Sequence, residues 1–279
     1  MRCAPRGRAG TRGALRIALL ALLGCRASER PDVAPPAASV ADGLRVVASA
    51  GALRAPDATD AGWTRLHVEE DGAGHIVVVF RLPDGAAASD VPAFVAALDT
   101  AAATPAGAVA LGGPEVGDSG TVVLELAPGL HVVACVSRRD PMHRHASGGE
   151  ARPLVVRPAR GAAPAPAATE TVPMTDFAYP GPDRWRAGAR VLAVRNDGRQ
   201  DHQLRLARLR DGTTLREWMA TEGETGTDVA GVARLGPGRT AYLPVELRAG
   251  EYVAYCLVRD PGSGRPHVML GMVRSVRVE

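Results

Sequence analysis

The sequence predicts an all-β protein, two tandem Greek-key β-sandwiches carrying short helical inserts. Three observations predict it: the chain repeats itself, each repeat is a run of short β-rich segments between turn residues, and each holds one amphipathic helical stretch. Residues 61–72 lie over residues 187–198 without a gap, six of the twelve positions being identical. One residue of slack places His75 on His202, Arg81-Leu82 on Arg208-Leu209 and Asp84-Gly85 on Asp211-Gly212. Leu126, Gly129, Val132 and Cys135 then fall on Leu247, Gly250, Val253 and Cys256. A last adjustment puts His145 on His267, Gly149 on Gly271, Arg152 on Arg274 and Val156 on Val278. So many ordered matches predict a duplication.

The strands follow from local pattern. Residues 191–194, 204–209, 241–247 and 252–258 are short, rich in β-branched or aromatic side chains, and bounded by Asp-Gly, Pro-Gly and Ala-Gly turns. Residues 272–278 alternate as a half-buried last strand does. In the first copy, residues 75–82 form a continuous apolar run, and 121–126 and 130–136 are further strands. Leu215, Trp218 and Met219 stand at i, i+3, i+4 within a helix predicted over 213–222. Phe94, Val95 and Leu98 mark a matching helix over 90–98.

Composition bounds the function. At 279 residues there is room for two domains, and 46% hydrophobic residues exclude general disorder. Four cysteines are too few for a disulfide-dense scaffold. The net charge of +3 comes from the amino terminus, where Arg2, Arg6, Arg8, Arg12 and Arg16 stand without an acid. Taking those five from 33 basic residues leaves 28 against 30 acidic, a net of −2 with no footprint for nucleic acid. Every basic residue is Arg and none is Lys, a compositional bias that removes meaning from Arg-rich stretches.

Residues 1–24 read as a signal peptide. An Arg-rich start leads into the apolar run 17–23, far short of the ~20 residues a spanning helix needs. The run ends Leu22-Leu23-Gly24-Cys25, which resembles the bacterial lipobox. That resemblance implies cleavage before Cys25 and lipidation of its thiol and amino group. The only membrane association expected is this lipid anchor. Arg26 after the cysteine favours the outer membrane by the same family's sorting rule, the protein facing the periplasm or exported. Residues 25–44, with Pro31, Pro35 and Pro36, read as a flexible tether, and the Pro/Ala-rich 158–170 as a linker. The domains are then 45–157 and 171–279.

In the second copy, Asn196 precedes a turn and then His202; Cys256, His267 and Met272 follow, Met272 five residues after His267. This order resembles the cupredoxins, the blue type 1 copper domains. The resemblance implies one copper held by His202, Cys256 and His267 with Met272 as axial ligand, used for one-electron transfer. Copper cycling between two oxidation states is suited by a soft thiolate, two imidazoles and a weak thioether. Ten residues separate Cys256 from His267, a longer loop than the family's, though Asp260-Pro261-Gly262 and Gly264 let it turn back. By the repeat, the first copy offers His75, Cys135, His145 and Glu150 as a weaker set, similar to the rarer red copper sites with a carboxylate ligand or to a decayed site. Met142 and His143 are nearby substitutes, and a Cys135–Cys256 disulfide is a further alternative.

An enzyme is the less favoured class. A multicopper oxidase needs eight histidines for its trinuclear cluster beyond those of its blue site, and this chain has seven in all. The His-Cys pair of two-domain copper nitrite reductases is missing, since Ala134 and Tyr255 precede the cysteines. Neither a phosphate-binding loop nor a serine nucleophile elbow is present. The readings left are an electron-transfer lipoprotein working with a periplasmic partner such as a cytochrome, a copper carrier, or a metal-free module binding a partner or glycan. Oligomeric state is not legible.

Overall fold

The computed structural model describes residues 41–71, 74–115, 119–138, 143–159, 161 and 163–279. The signal peptide, Cys25, most of the tether and Met142 lie outside them. The first half runs β1 (Ala41–Ser49), β2 (Ala52–Arg54), β3 (Ala58–Asp60), β4 (Gly62–Glu70), β5 (Val77–Arg81), α1 (Val91–Thr100), β6 (Val109–Gly112), β7 (Ser119–Leu126), β8 (Gly129–Cys135) and β9 (Ala151–Arg157). The second runs β10 (Glu170–Met174), β11 (Arg184–Trp185), β12 (Gly188–Asn196), β13 (His202–Leu209), α2 (Leu215–Ala220), β14 (Gly226–Leu235), β15 (Thr240–Leu247), β16 (Gly250–Tyr255) and β17 (Val273–Val278).

The halves share one plan. β1 lies parallel to β4 as β10 does to β12, and β3 parallel to β9 as β11 does to β17. The antiparallel pairs β4–β7, β5–β8 and β8–β9 recur as β12–β15, β13–β16 and β16–β17. Each half is therefore a two-sheet sandwich. Both sheets run on through the molecule: β15 pairs with β7 in a seven-stranded sheet, and β14 with β6 in a ten-stranded one. One apolar core accordingly extends from Leu44 and Leu66 in the first half to Leu243 and Val276 in the second.

The continuous apolar run in β5 has a direct cause. Val77 and Val79 point into the sandwich, while Val78 and Phe80 pack beneath Phe94 and Leu98 of α1. A strand covered on both faces loses the usual alternation. β13 and β16 behave alike: Leu204, Leu206, Tyr252 and Ala254 face the sandwich, and Ala207, Leu209, Val253 and Tyr255 face Trp218 of α2. The helices thus roof the sheet that carries the metal-ligand candidates.

Local chemistry sets the ends. Thr214 Oγ1 accepts from Glu217 N at 3.2 Å while Glu217 Oε2 accepts from Thr214 N at 2.8 Å, a capping box that starts α2. The helix stops at Ala220, short of the 213–222 expected, because Glu222 and Gly223 take positive φ of 50° and 95°. α1 begins at Val91 with a proline in its first turn and runs on to Thr100, two residues past the expected end. At the other boundary, residues 41–44 belong to β1 rather than to a tether, since Leu44 is buried opposite Leu66. β14 has no sequence signal: its Gly226 and Gly231 and its half-exposed first part hide the strand.

Leu235 is fully buried where β14 meets Leu111 of β6. Leu235→Ala is expected to cost ~2–5 kcal/mol in urea unfolding. Single-tryptophan variants reporting from Trp63 and from Trp185 should share one midpoint; two separated midpoints would contradict a common core.

His131 of β8 is also fully buried, and its Nε2 has no partner. Burial pushes it down to about 4, with Arg81 adding to the shift and the Gly129 carbonyl opposing it. The unfolded chain takes up this proton below about 6.5, the native protein only near 4. Stability therefore rises with pH across that window and is flat above it, by on the order of 2 kcal/mol. Urea midpoints of His131→Leu should lose this slope between pH 4 and about 6.5.

Candidate metal centres

Two clusters of ligand-type side chains stand in equivalent places, His202, Cys256 and His267 in the second half and His75, Cys135, His145 and Glu150 in the first. Within each cluster the donor atoms all lie within 4.8 Å of one another. Cys135 and Cys256 are both free thiols in separate clusters, so the alternative of a disulfide between them does not hold. His143 belongs to neither cluster.

In the second half, His202 opens β13, Cys256 ends the segment begun by β16, and His267 starts a short 3₁₀ turn, His267–Leu270. The long loop between the last two is a closed hairpin. Asp260 N donates to Arg265 O at 2.9 Å, and Gly264, at φ 71°, donates to Asp260 O at 2.8 Å. His267 N then donates to Val258 O and Val268 N to Cys256 O, both at 2.8 Å, which returns the ring to the sulfur. The extra loop residues fold among themselves and do not separate the ligands.

Ring orientation is the informative feature. His202 Nε2 stands 2.9 Å from Asp176 Oδ1, and His267 Nε2 3.1 Å from Gln200 Oε1. The Gln200 amide cannot be reversed, because its Nε2 donates to Asp260 Oδ1 at 2.9 Å. Hydrogen bonds from Ser263 and Gln200 hold Asp260 down at about 2, so it is ionised at neutral pH. Burial works against the Asp176 carboxylate, but hydrogen bonds from His202 and the backbone of Arg199 and Gln200 hold it below its usual range. Both Nε2 atoms are therefore donors, and both Nδ1 atoms carry lone pairs. Those lone pairs face each other at 3.1 Å, with Cys256 Sγ 3.5 Å from His267 Nδ1. All three residues are fully buried.

Facing lone pairs repel unless a cation lies between them. Two nitrogens about 2.0 Å from one ion stand roughly 3.3–3.5 Å apart at tetrahedral to trigonal angles, and such a nitrogen and a sulfur at about 2.3 Å roughly 3.5–3.7 Å. The sulfur–nitrogen spacing of 3.5 Å fits, and the nitrogen–nitrogen spacing of 3.1 Å is slightly tighter. Met272 is fully buried two residues beyond the 3₁₀ turn; its N donates to His267 O at 2.9 Å and its carbonyl accepts from Cys256 N at 3.3 Å. Its backbone is thus tied to both ligands.

The loop after β10 clasps both rings. Asp176 bonds His202, and the next residue, Phe177, packs edge-on against His267 with centroids 4.9 Å apart. Phe177 takes φ 81°, a costly conformation for an aromatic residue that this double contact holds in place. A Cβ on Gly198 would sit 2.5 Å from Asp176 Oδ1 and 2.6 Å from His202 Nε2, so glycine is needed there. Asn196 braces the same turn, donating to the carbonyls of Gln200 and Leu235 and accepting from Gly198 N.

The first half repeats the frame with a different fourth residue. His145–Gly148 is the matching 3₁₀ turn, and Gly149 (φ 107°) matches Gly271 (φ 106°). Glu150 N donates to His145 O and Cys135 N to Glu150 O, the bonds Met272 makes in the second half. Glu150 Oε2 lies 2.7 Å from His75 Nδ1 and 3.3 Å from His145 Nδ1, while Oε1 accepts from Gly51 N at 2.9 Å. Cys135 Sγ is 3.6 Å from both Nδ1 atoms. His75 N donates to Glu70 and His75 Nε2 faces Asp71 at 3.2 Å. Burial pushes the Cys135 thiol up to about 11 and the Cys256 thiol up to about 12.

Sequence reasoning did not find Asp176, Gln200 or Asp260. An acid two residues past a strand and a glutamine in a turn carry no signal of their own; only their contacts reveal them.

No family model matches the chain, and no curated protein matches it. Among solved structures, it is similar to dithionite-reduced auracyanin from the photosynthetic bacterium Roseiflexus castenholzii, with 18% identity over 40% of this chain and 98% of that one, at TM-score 0.28. A multicopper oxidase is 15% identical over 84% of this chain and 88% of its own, at TM-score 0.25. A copper-containing nitrite reductase from Thermus scotoductus is 12% identical over 85% and 61%, at TM-score 0.24. Likeness at these scores carries no functional weight.

Gln200→Leu removes the acceptor that fixes the His267 tautomer. Metal affinity, measured by competition with a chelator, is expected to fall ~10–100-fold with the fold intact; an unchanged affinity would remove Gln200 from the site.

Proposed function

We propose that this protein is a cupredoxin-like electron-transfer protein of the bacterial envelope. One copper would be held by His202, Cys256 and His267 with Met272 as the fourth ligand, and a second by His75, Cys135, His145 and Glu150. The observation that carries this reading is the pair of imidazole lone pairs turned toward each other beside a buried sulfur, with both outer nitrogens committed to acceptors. The set of one thiolate, two imidazoles and a weak or carboxylate ligand suits copper.

Bound copper would supply one-electron chemistry, alternating between Cu(II) and Cu(I). The protein's own part is to hold the ligands still. Asp176 and Gln200 fix the two rings of the second site, Phe177 packs against one of them, and burial of His202, Cys256, His267 and Met272 keeps water out there. A rigid, dry ligand set changes little between oxidation states, which lowers the barrier to electron exchange. Cys256 Sγ keeps its proton in the metal-free protein and releases it when a metal binds, so uptake favours higher pH.

Lipidation at Cys25, attachment to the outer membrane and exchange with a periplasmic partner such as a cytochrome complete the proposal. The sequence pattern at residues 17–25 supports the anchor. Met269 and Leu257, both exposed, lie beside His267 and Cys256 and offer an apolar contact for that partner.

Cu(II) titrated into the purified protein should give an intense visible sulfur-to-copper band saturating at two equivalents. Cys256→Ser should remove one component and Cys135→Ser the other. A colourless protein without tight copper binding would overturn the proposal. Reversible electron exchange with a cytochrome is expected; one-way loss of copper to a chelating acceptor without exchange would make the protein a carrier.

A further inference from the structure

The two halves meet around a cavity of about 200 Å³ whose walls include Arg138, Arg144, Arg205, Arg234, Arg259 and a carboxylate, Glu115. The sequence has no lysine, so their identity as arginines says nothing. Their surroundings do. Arg144 is buried, and its guanidinium donates to the carbonyls of Leu98 and Val136 at 2.7 Å and of Ala101 at 3.2 Å. Arg259 donates to Gly264 O at 2.9 Å. Carbonyls satisfy N–H groups but bring no net charge to neutralise a cation. Among the described residues neither Arg144 nor Arg259 forms an ion pair.

The other walls are partly compensated. Arg234 lies 3.6 Å from Asp201 Oδ2, and Arg205 Nη2 bonds Asp228 Oδ2 at 2.7 Å. Arg205 Nε is buried without a hydrogen-bond partner, 3.7 Å from Glu115 Oε1. Burial pushes Arg144 down to about 10 and repulsion from Arg234 and Arg138 adds to it, while Asp99, which accepts from Arg144 N at 2.7 Å, opposes it only in part. Like charges gathered in a partly enclosed space are costly unless an anion joins them.

The cavity also has a telling position. Ile76 and Val136, which follow His75 and Cys135, line it from one side; Gln203 and Leu257, which follow His202 and Cys256, line it from the other. It lies between the two ligand clusters.

We infer that this cavity is a binding site for a small oxyanion of the phosphate or sulfate class, seated between the two metal centres and held by Arg144, Arg205, Arg234 and Arg259. Guanidinium groups pair their planar N–H forks with oxyanion oxygens. The volume takes one tetrahedral anion with a few waters, at about 30 Å³ for each water. Glu115 is the built-in competitor, a carboxylate facing the same guanidinium as the anion would. The inference is independent of copper.

The test is calorimetric titration of phosphate and of sulfate into the purified metal-free protein, against chloride at matched ionic strength. One saturable site is expected, absent with chloride. Glu115→Gln should tighten binding several-fold, and Arg234→Gln should weaken it at least tenfold. Because loss of Arg234, whose side chain is only 11% exposed, can unfold the protein, circular dichroism accompanies it, and the exposed Arg259→Gln, expected to weaken binding several-fold, stands beside it. No saturable heat beyond chloride, or binding unchanged in both Glu115→Gln and Arg259→Gln, would overturn the site.

Discussion

The constraint on which the rest depends is the commitment of two outer ring nitrogens. Once His202 Nε2 faces Asp176 and His267 Nε2 faces Gln200, the inner nitrogens carry no proton of their own and face each other as acceptors, with the single Cys256 thiol proton able to satisfy only one of them. Such an arrangement, closed off from water beside a thiol, is unfavourable until something positive joins it. Outer contacts several ångströms from the centre therefore define what the centre can hold. That explains why a glycine is required at 198 and why Phe177 is kept in an uncommon backbone conformation.

The scaffold builds this arrangement twice, with different outer contacts. In the second half the loop after β10 supplies Asp176 and Phe177, and the fourth residue is the apolar Met272. In the first half the turn after β1 supplies a backbone N–H that holds Glu150, and the carboxylate itself reaches both rings. Glu150 thus places a carboxylate oxygen beside the imidazoles where the second half has a thioether side chain. Under the proposed function, the two centres would differ in metal preference and potential, since the fourth ligand tunes both.

Sharing both sheets has a mechanical consequence. Neither half has a free edge where the other pairs with it, and one core runs beneath both. The ligand clusters are held in a fixed relation by hydrogen-bonded strands, and arginines from both halves are brought to the cavity between them. A flexible pair of sandwiches could not keep such charges together.

The all-β class, the duplication, both helices and all the residues of the two clusters were legible in the sequence, because they rest on local pattern and on chain order. Strand periodicity, turn residues and the order His, Cys, His, Met survive in one dimension. Tertiary structure alone decided the rest. Whether the ten-residue loop returns His267 to Cys256 depends on hydrogen bonds between Asp260, Gly264 and Arg265 that composition only permits. The outer contacts of Asp176, Gln200 and Asp260 arise from segments brought together by folding, and those residues are ordinary surface types in sequence. The fusion of the two sandwiches through β7–β15 and β6–β14 is a pairing between strand edges, and backbone edges carry no side-chain signature.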